Sequence, residues 1–184
     1  LLLLGEDGAP ESVPTGPLPI DRTVVTPGVT ADGQASVTVQ VGEGEVLTLP
    51  LDKYLWRVVA AEMPASFEPE ALKAQACCAR TYAARLNRHA AYHFDLCATV
   101  DCQAYTGAGQ IGANTTQAVE ETAGMYVWYG DELAETYYYY SNGGASEDVR
   151  NIWNSNVDLP YLCGVVDPYE ATVADKIYLY NWTY

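Results

Sequence analysis

Glu62 is the residue whose surroundings ask for an explanation. The run Leu51 to Pro64 reads LDKYLWRVVAAEMP, so this carboxylate closes an apolar, alanine-lined stretch just before a proline. On a helical wheel of about 100° per residue with Leu51 at zero, Leu55, Val58 and Val59 lie within about 80° of it and Glu62 at about 20°. A carboxylate centred on an apolar face loses hydration, which disfavours its charged form, raises its pKa and suits it to general acid catalysis near neutral pH. The same placement also suits a buried glutamate paired for structure with Lys73 or Arg80, and those cations favour the ionised form.

A second group lies in HFDLCATVDCQAY, which holds His93, Cys97, Asp101 and Cys102 within ten residues. Two thiolates, an imidazole and a carboxylate make a chemically acceptable tetrahedral zinc shell. A Cys97–Cys102 disulfide outside the cell and a buried free thiol are the alternatives. Five cysteines are an odd number and do not suggest a complete disulfide framework, so Cys77, Cys78 and Cys163 read as plain core residues.

The third group is Ser141-Asn142-Gly143-Gly144-Ala145-Ser146, followed by Glu147. Glycines let a backbone approach a ligand, and hydroxyls and amides hydrogen-bond sugar hydroxyls, with tyrosines or tryptophans to stack on a sugar ring. An ordinary hairpin exit loop has the same composition. A serine hydrolase fits poorly, because GxSxG is missing and only His89 and His93 are available as base.

The elements that must position these groups follow from periodicity and punctuation. SVTVQV and VLTL alternate around a GEGE turn and predict a hairpin from Ser36. Pro50 opens a helix and Pro64 ends it. Ser66 is the expected N-cap of a second helix running to about Arg88, with Leu72, Ala76, Ala79, Ala83 and Leu86 as its core stripe. Lys73 and Arg80 share a separate stripe, two turns apart. NTTQAVEETAG predicts a short helix over about 115–123, and MYVWYGDELAETYYYYS an aromatic β-hairpin. PYLCGVV and KIYLYNWTY read as short extended pieces. The expected fold is α+β: a helical pair carrying the acid, packed against antiparallel strands.

The chain has 184 residues and 49% hydrophobic content, enough for one globular domain, expected over 35–184. Residues 1–34, rich in proline and glycine, read as a flexible linker. Nine basic against 24 acidic residues give a net charge of −15, which repels phosphate backbones and argues against nucleic acid as a partner. Lys53, Arg57, Lys73, Arg80, Arg85 and Arg88 nevertheless cluster, so one face can attract an anionic or polar ligand. Four leading leucines are far short of the ~20 apolar residues that span a bilayer, leaving membrane attachment only to an N-terminal anchor outside this sequence.

Together, LDKYLWRVVAAEMPASFEPEALKAQACCARTYA, FDLCATVDCQAYTG, AVEETAGMYVWYGDELAETYYYYSNGGASE and WNSNVDLPYLCGVVDP resemble, in that order, the SpoIID/LytB family. The resemblance covers about Val46 to the C-terminus, and EMP followed by EALKAQAxxART is specific. It implies a lytic transglycosylase that cleaves peptidoglycan glycan strands, preferably stripped of stem peptides by a partner amidase, and that works extracytoplasmically. By resemblance Glu62 is the catalytic acid/base. Lys73, Gln75, Arg80 and Tyr82 match the motif helix, Gln103 and Tyr105 its CQxY, and Ser141, Gly143, Gly144 and Ser146 its small-residue loop, with Ser146 replacing the commoner threonine.

Some clostridial relatives carry zinc between a histidine and cysteines of the CQxY region, which implies His93, Cys97 and Cys102 here, with Asp101 where histidine is usual. Family chains usually continue past this C-terminus. One carboxylate suffices for a transglycosylase, whereas a hydrolase needs a second acid to act as nucleophile or to activate water. Lys73 and Arg80 are expected to hold Glu62 or the lactyl carboxylate of the sugar. A different class, a non-catalytic wall-binding module that enhances an amidase, would not need an ionisable residue at 62. A zinc hydrolase is weak, since full Cys/His coordination closes the metal to water.

Overall fold

This computed structural model describes residues 35–85, 89–105, 111–153 and 159–170. The expected linker over 1–34, Leu86 of the helical stripe and the KIYLYNWTY segment lie outside the described residues. The chain divides between Tyr137 and Tyr138 into two compact units.

The first unit opens with a hairpin of β1 (Ser36–Gly42) and β2 (Glu45–Pro50), paired antiparallel from Ser36↔Pro50 to Gly42↔Glu45. Gly44 takes the turn with a φ of 75°, a backbone conformation that suits a residue without Cβ. Alternation buries Val37 and Val39 beneath the sheet. A short β3 (Leu96–Cys97) adds parallel to β1, giving the order β2-β1-β3. Asp95 pins that junction: its Oδ2 accepts from both the N–H and the hydroxyl of Thr38, each at 2.7 Å.

The hairpin runs straight into α1 (Leu51–Glu62), which buries Leu51, Tyr54, Leu55, Val58 and Val59. Met63 leaves the helix with extended backbone because Pro64 follows it. α2 (Pro69–Ala84) has Glu68 rather than Ser66 at its N-cap position, with no capping bond from its side chain, since Pro69 at the first helical position fixes where the helix can begin, and it ends at Ala84, short of Arg88. Its buried Leu72, Ala76, Ala79 and Ala83 form the expected stripe. α3 (Ala113–Glu121) starts two residues before the expected Thr115, with Thr115 Oγ1 accepting the Gly112 N–H at 3.1 Å.

These three helices and the sheet share one apolar core. The fold is therefore α+β, helices against a small mixed sheet. The aromatic hairpin is much shorter than its composition predicts. Among the described residues the pairing is between β4 (Trp128–Tyr129) and β5 (Glu132–Leu133).

The second unit, in its described part, is a loop over 141–146 held to a returning segment, plus one short helix, α4 (Val149–Trp153). Ala145 bridges Val166, and Ser146 exchanges hydrogen bonds with Val165.

Candidate active site and metal centre

Glu62 is the last residue of α1 and is half-buried rather than sealed in the core. Its Oε1 accepts the backbone N–H of Ala104 at 2.7 Å. The short stretch that supplies this N–H is fixed by its own side chains. Gln103, 1% exposed, donates from Nε2 to the Ala79 carbonyl at 3.3 Å on α2, and its Oε1 accepts the Tyr54 hydroxyl at 2.9 Å on α1. Tyr105 stacks on Tyr54, with ring centroids 5.6 Å apart, and its hydroxyl accepts from Arg57. Glu62 and its donor are thus both referred to α1.

The four motif residues on α2 part ways. Arg80 is 1% exposed and donates to the Val119 carbonyl at 2.9 Å, to the Met125 carbonyl at 3.3 Å and to Thr122 Oγ1 at 3.2 Å. It closes the C-terminus of α3, where unpaired carbonyls favour a cation. Burial pulls its pKa down from the ordinary arginine value. Lys73 bridges Glu70 and Glu121, each at 2.8 Å, and these carboxylates hold its pKa well above the usual lysine value. Neither cation reaches Glu62, contrary to the expected pairing. Position on one helical stripe was shared, but Arg80 is drawn inward by α3 while Lys73 stays at the rim. Gln75 is buried with its Nε2 lacking a hydrogen-bond partner, and Tyr82 packs edge-on to Tyr137 at 6.4 Å.

In the cysteine region His89, Cys97, Asp101 and Cys102 bring one ligand atom each to within 4.8 Å of one another. His89 Nε2 lies 3.1 Å from Cys102 Sγ and 3.6 Å from Asp101 Oδ2, and Cys97 Sγ lies 3.9 Å from that same oxygen. The expected His93 is not in the group. It is exposed and takes a φ of 66° at the end of the 3-10 turn Ala90–Tyr92, which turns the chain back so that His89, four residues earlier, faces the thiols. Phe94 stacks on the His89 ring at 4.8 Å and fixes its plane. All five cysteines are free thiols, Cys97 and Cys102 among them. Two sulfurs, a nitrogen and a carboxylate oxygen at this mutual spacing fit zinc, whose bonds of ~2.0–2.3 Å need ligand atoms a few ångströms apart.

The glycine loop of the second unit is organised around its own polar groups. Asn142 donates to Asp167 at 3.1 Å and accepts the Gly144 N–H at 2.8 Å, and the Ser141 hydroxyl donates to Glu170 at 2.6 Å. Gly143 and Gly144 have φ values of 66° and 101°, so both need glycine's freedom. Ser146 bonds to Val165 through both its backbone and its hydroxyl.

Sequence reasoning missed Tyr54, Arg57, His89 and the Ala104 N–H. Tyr54 and Arg57 carried a weak signal as a polar ring and a cation on the same helix as Glu62. His89 stood in view as one of two histidines. A main-chain donor leaves no trace in residue type.

Residues 40–129 match the family model described as SpoIID, stage II sporulation protein. The chain is 33% identical over 141 residues to stage II sporulation protein D of Bacillus subtilis (strain 168), covering 68% of this chain and 40% of that protein. The homologue of the same name in Bacillus amyloliquefaciens aligns equally well. An amidase enhancer of Bacillus subtilis (strain 168) is 39% identical over 110 residues, 60% of this chain and 14% of the enhancer. The chain spans well under half the length of these relatives. By this match over its helical core and by these relatives, the chain belongs to the SpoIID family.

Proposed function

We propose that this protein is a lytic transglycosylase that cleaves the MurNAc–GlcNAc bonds of peptide-stripped peptidoglycan strands, with Glu62 as its single acid/base. The observation that carries the reading is the setting of Glu62: a half-buried carboxylate at a helix end, oriented through Oε1 by a fixed backbone donor. Protonated Glu62 gives its proton to the glycosidic oxygen as the bond from C1 to that oxygen breaks. The sugar's C6 hydroxyl oxygen then bonds to C1, and its proton returns to Glu62. The product is a 1,6-anhydro end, and no water is consumed. Glu70, one of the two acids nearest in sequence after Glu62, is paired with Lys73, in keeping with a one-carboxylate mechanism.

Of the residues the family resemblance implies as substrate contacts, Lys73, Gln75, Tyr82 and Tyr105 belong to the unit that carries Glu62, and Ser141, Gly143, Gly144 and Ser146 form a polar loop in the other unit; Gln103, 1% exposed and bonded at both ends of its amide, supports the Ala104 peptide instead. Arg80 acts by holding α3 against α2. Zinc would be held by His89, Cys97, Asp101 and Cys102, and with four protein ligands it supplies cross-linking of residues 89–102 rather than an activated water. The setting is extracytoplasmic, at the cell wall, alongside an amidase that strips stem peptides; among the described residues no helix is long and apolar enough to cross a membrane.

The likeness to a protein named amidase enhancer supports a second reading, a wall-binding module that stimulates an amidase and cuts nothing itself. Mass spectrometry of purified, peptide-stripped strands after incubation separates the two. Ends lighter by one water relative to hydrolytic ends support the lyase; unchanged strands support the binding module.

A further inference from the structure

Arg57 has no part in the chemistry above, yet it sits where the orientation of Glu62 is decided. It is half-buried on α1, five residues before Glu62, and its guanidinium does two things to one ring. A guanidinium N–H donates to the Tyr105 hydroxyl, and the guanidinium carbon lies over the Tyr105 ring, 5.4 Å from its centroid. The ring's stacking partner is Tyr54, whose own hydroxyl holds Gln103. The residue between Gln103 and Tyr105 is Ala104, donor to Glu62. The peptide that presents the N–H is therefore flanked by two side chains anchored to α1: Gln103 through Tyr54, and Tyr105 through Tyr54 and Arg57. A flexible ammonium cannot reproduce both contacts, whereas a planar guanidinium can lie along a ring and still reach its hydroxyl.

We propose that Arg57 is a positioning residue for the acid: by clamping Tyr105 it holds the Ala104 N–H on Glu62 Oε1, so that α1 carries both the carboxylate and the device that aims it. This inference rests on the reading of Glu62 as acid/base, but its geometric content is independent of turnover. The clamp acts across a single backbone unit, so its loss is expected to be local. Ala104 should loosen while the interior of α1, where Val58 and Val59 are fully buried, stays closed.

The test uses the full chain, isotopically labelled, and follows amide hydrogen exchange residue by residue in the wild type, Arg57→Gln, Arg57→Lys, Tyr105→Phe and the Arg57→Gln/Tyr105→Phe double variant. Arg57→Gln is expected to speed exchange at the Ala104 amide about tenfold, the worth of one hydrogen bond to a charged group, with Val58 and Val59 unchanged. Arg57→Lys should recover little of the protection. In the Tyr105→Phe background Arg57→Gln should add less than it does alone, since the shared hydrogen bond is already gone and only the guanidinium–ring contact is left to lose.

For Arg57→Gln on stripped glycan strands, kcat should fall in step with the exchange rate while KM stays within about twofold. Unchanged Ala104 protection in folded Arg57→Gln overturns the inference, and so does a full, additive effect in the double variant. If Arg57→Gln does not fold, Tyr105→Phe, which keeps the stacked ring, decides the matter by the same Ala104 amide. A wild type that cuts no glycan contradicts the proposed function and leaves the exchange comparison to decide the clamp.

Discussion

Ala104 donates its backbone N–H to Glu62 Oε1 at 2.7 Å, and Ala104 lies only two residues after Cys102, whose sulfur is 3.1 Å from His89 Nε2. Acid and candidate metal centre are therefore two ends of one short, well-anchored stretch. Whatever fixes Cys102 also fixes the donor that orients the carboxylate.

The anchor between them is Gln103. Tyr54→Phe would remove the hydroxyl that its buried Oε1 accepts from and strand that oxygen away from water. The expected cost is about 1–3 kcal/mol of stability, because a buried acceptor is left without a partner. Urea unfolding monitored by circular dichroism checks this, and a loss below a few tenths would contradict the buried hydrogen bond.

Zinc titration against a chromophoric competitor distinguishes the two histidines. One ion per chain is expected. His89→Ala should lower affinity at least about tenfold, and His93→Ala should leave it within about twofold. Chelation of the loaded protein should lower its thermal midpoint, since the bound state alone gains from the metal.

Arg80 supports α3 from the core. Arg80→Met keeps most of the apolar volume but removes three donated hydrogen bonds, leaving the Val119 and Met125 carbonyls to find other partners. A loss of about 2–4 kcal/mol is expected. Chemical denaturation measures it, and a neutral result would contradict the structural part assigned to this cation.

Cysteine reactivity carries a pH signature. Burial pushes the Cys78 thiol up to about 11, with its neighbour Cys77 adding to the effect. Only the thiolate alkylates, so Cys78 should resist iodoacetamide at pH 8 and begin to react as pH approaches 11. Exposed Cys163 should label first. Mass mapping of the labelled peptides reads the order directly.

The hairpin, α1 and the stripe of α2 were legible because alternation, helical spacing and proline punctuation are local signals, and tertiary packing agreed with them. Arg80 and Lys73 show where such signals stop. Both lie on one stripe of α2, and only the docking of α3 turns the first into a core residue and leaves the second on the surface. His89 and His93 differ by one 3-10 turn, and a left-handed residue at its end decides which of them faces the thiols. The tyrosine run promised longer strands than the Trp128–Tyr129 and Glu132–Leu133 pair found among the described residues, and the Ala104 donor belongs to the backbone, which composition does not encode.

Glu62 as the single acid/base is best tested by weighing the products that wild-type protein and Glu62→Gln make from purified, peptide-stripped glycan strands. The wild type should give 1,6-anhydro ends, and cleavage should drop at least about a thousandfold in the Gln variant at unchanged thermal stability, the scale expected when an acid/base that acts twice is removed. Full cleavage by Glu62→Gln, or wild-type products carrying the mass of an added water, would contradict it.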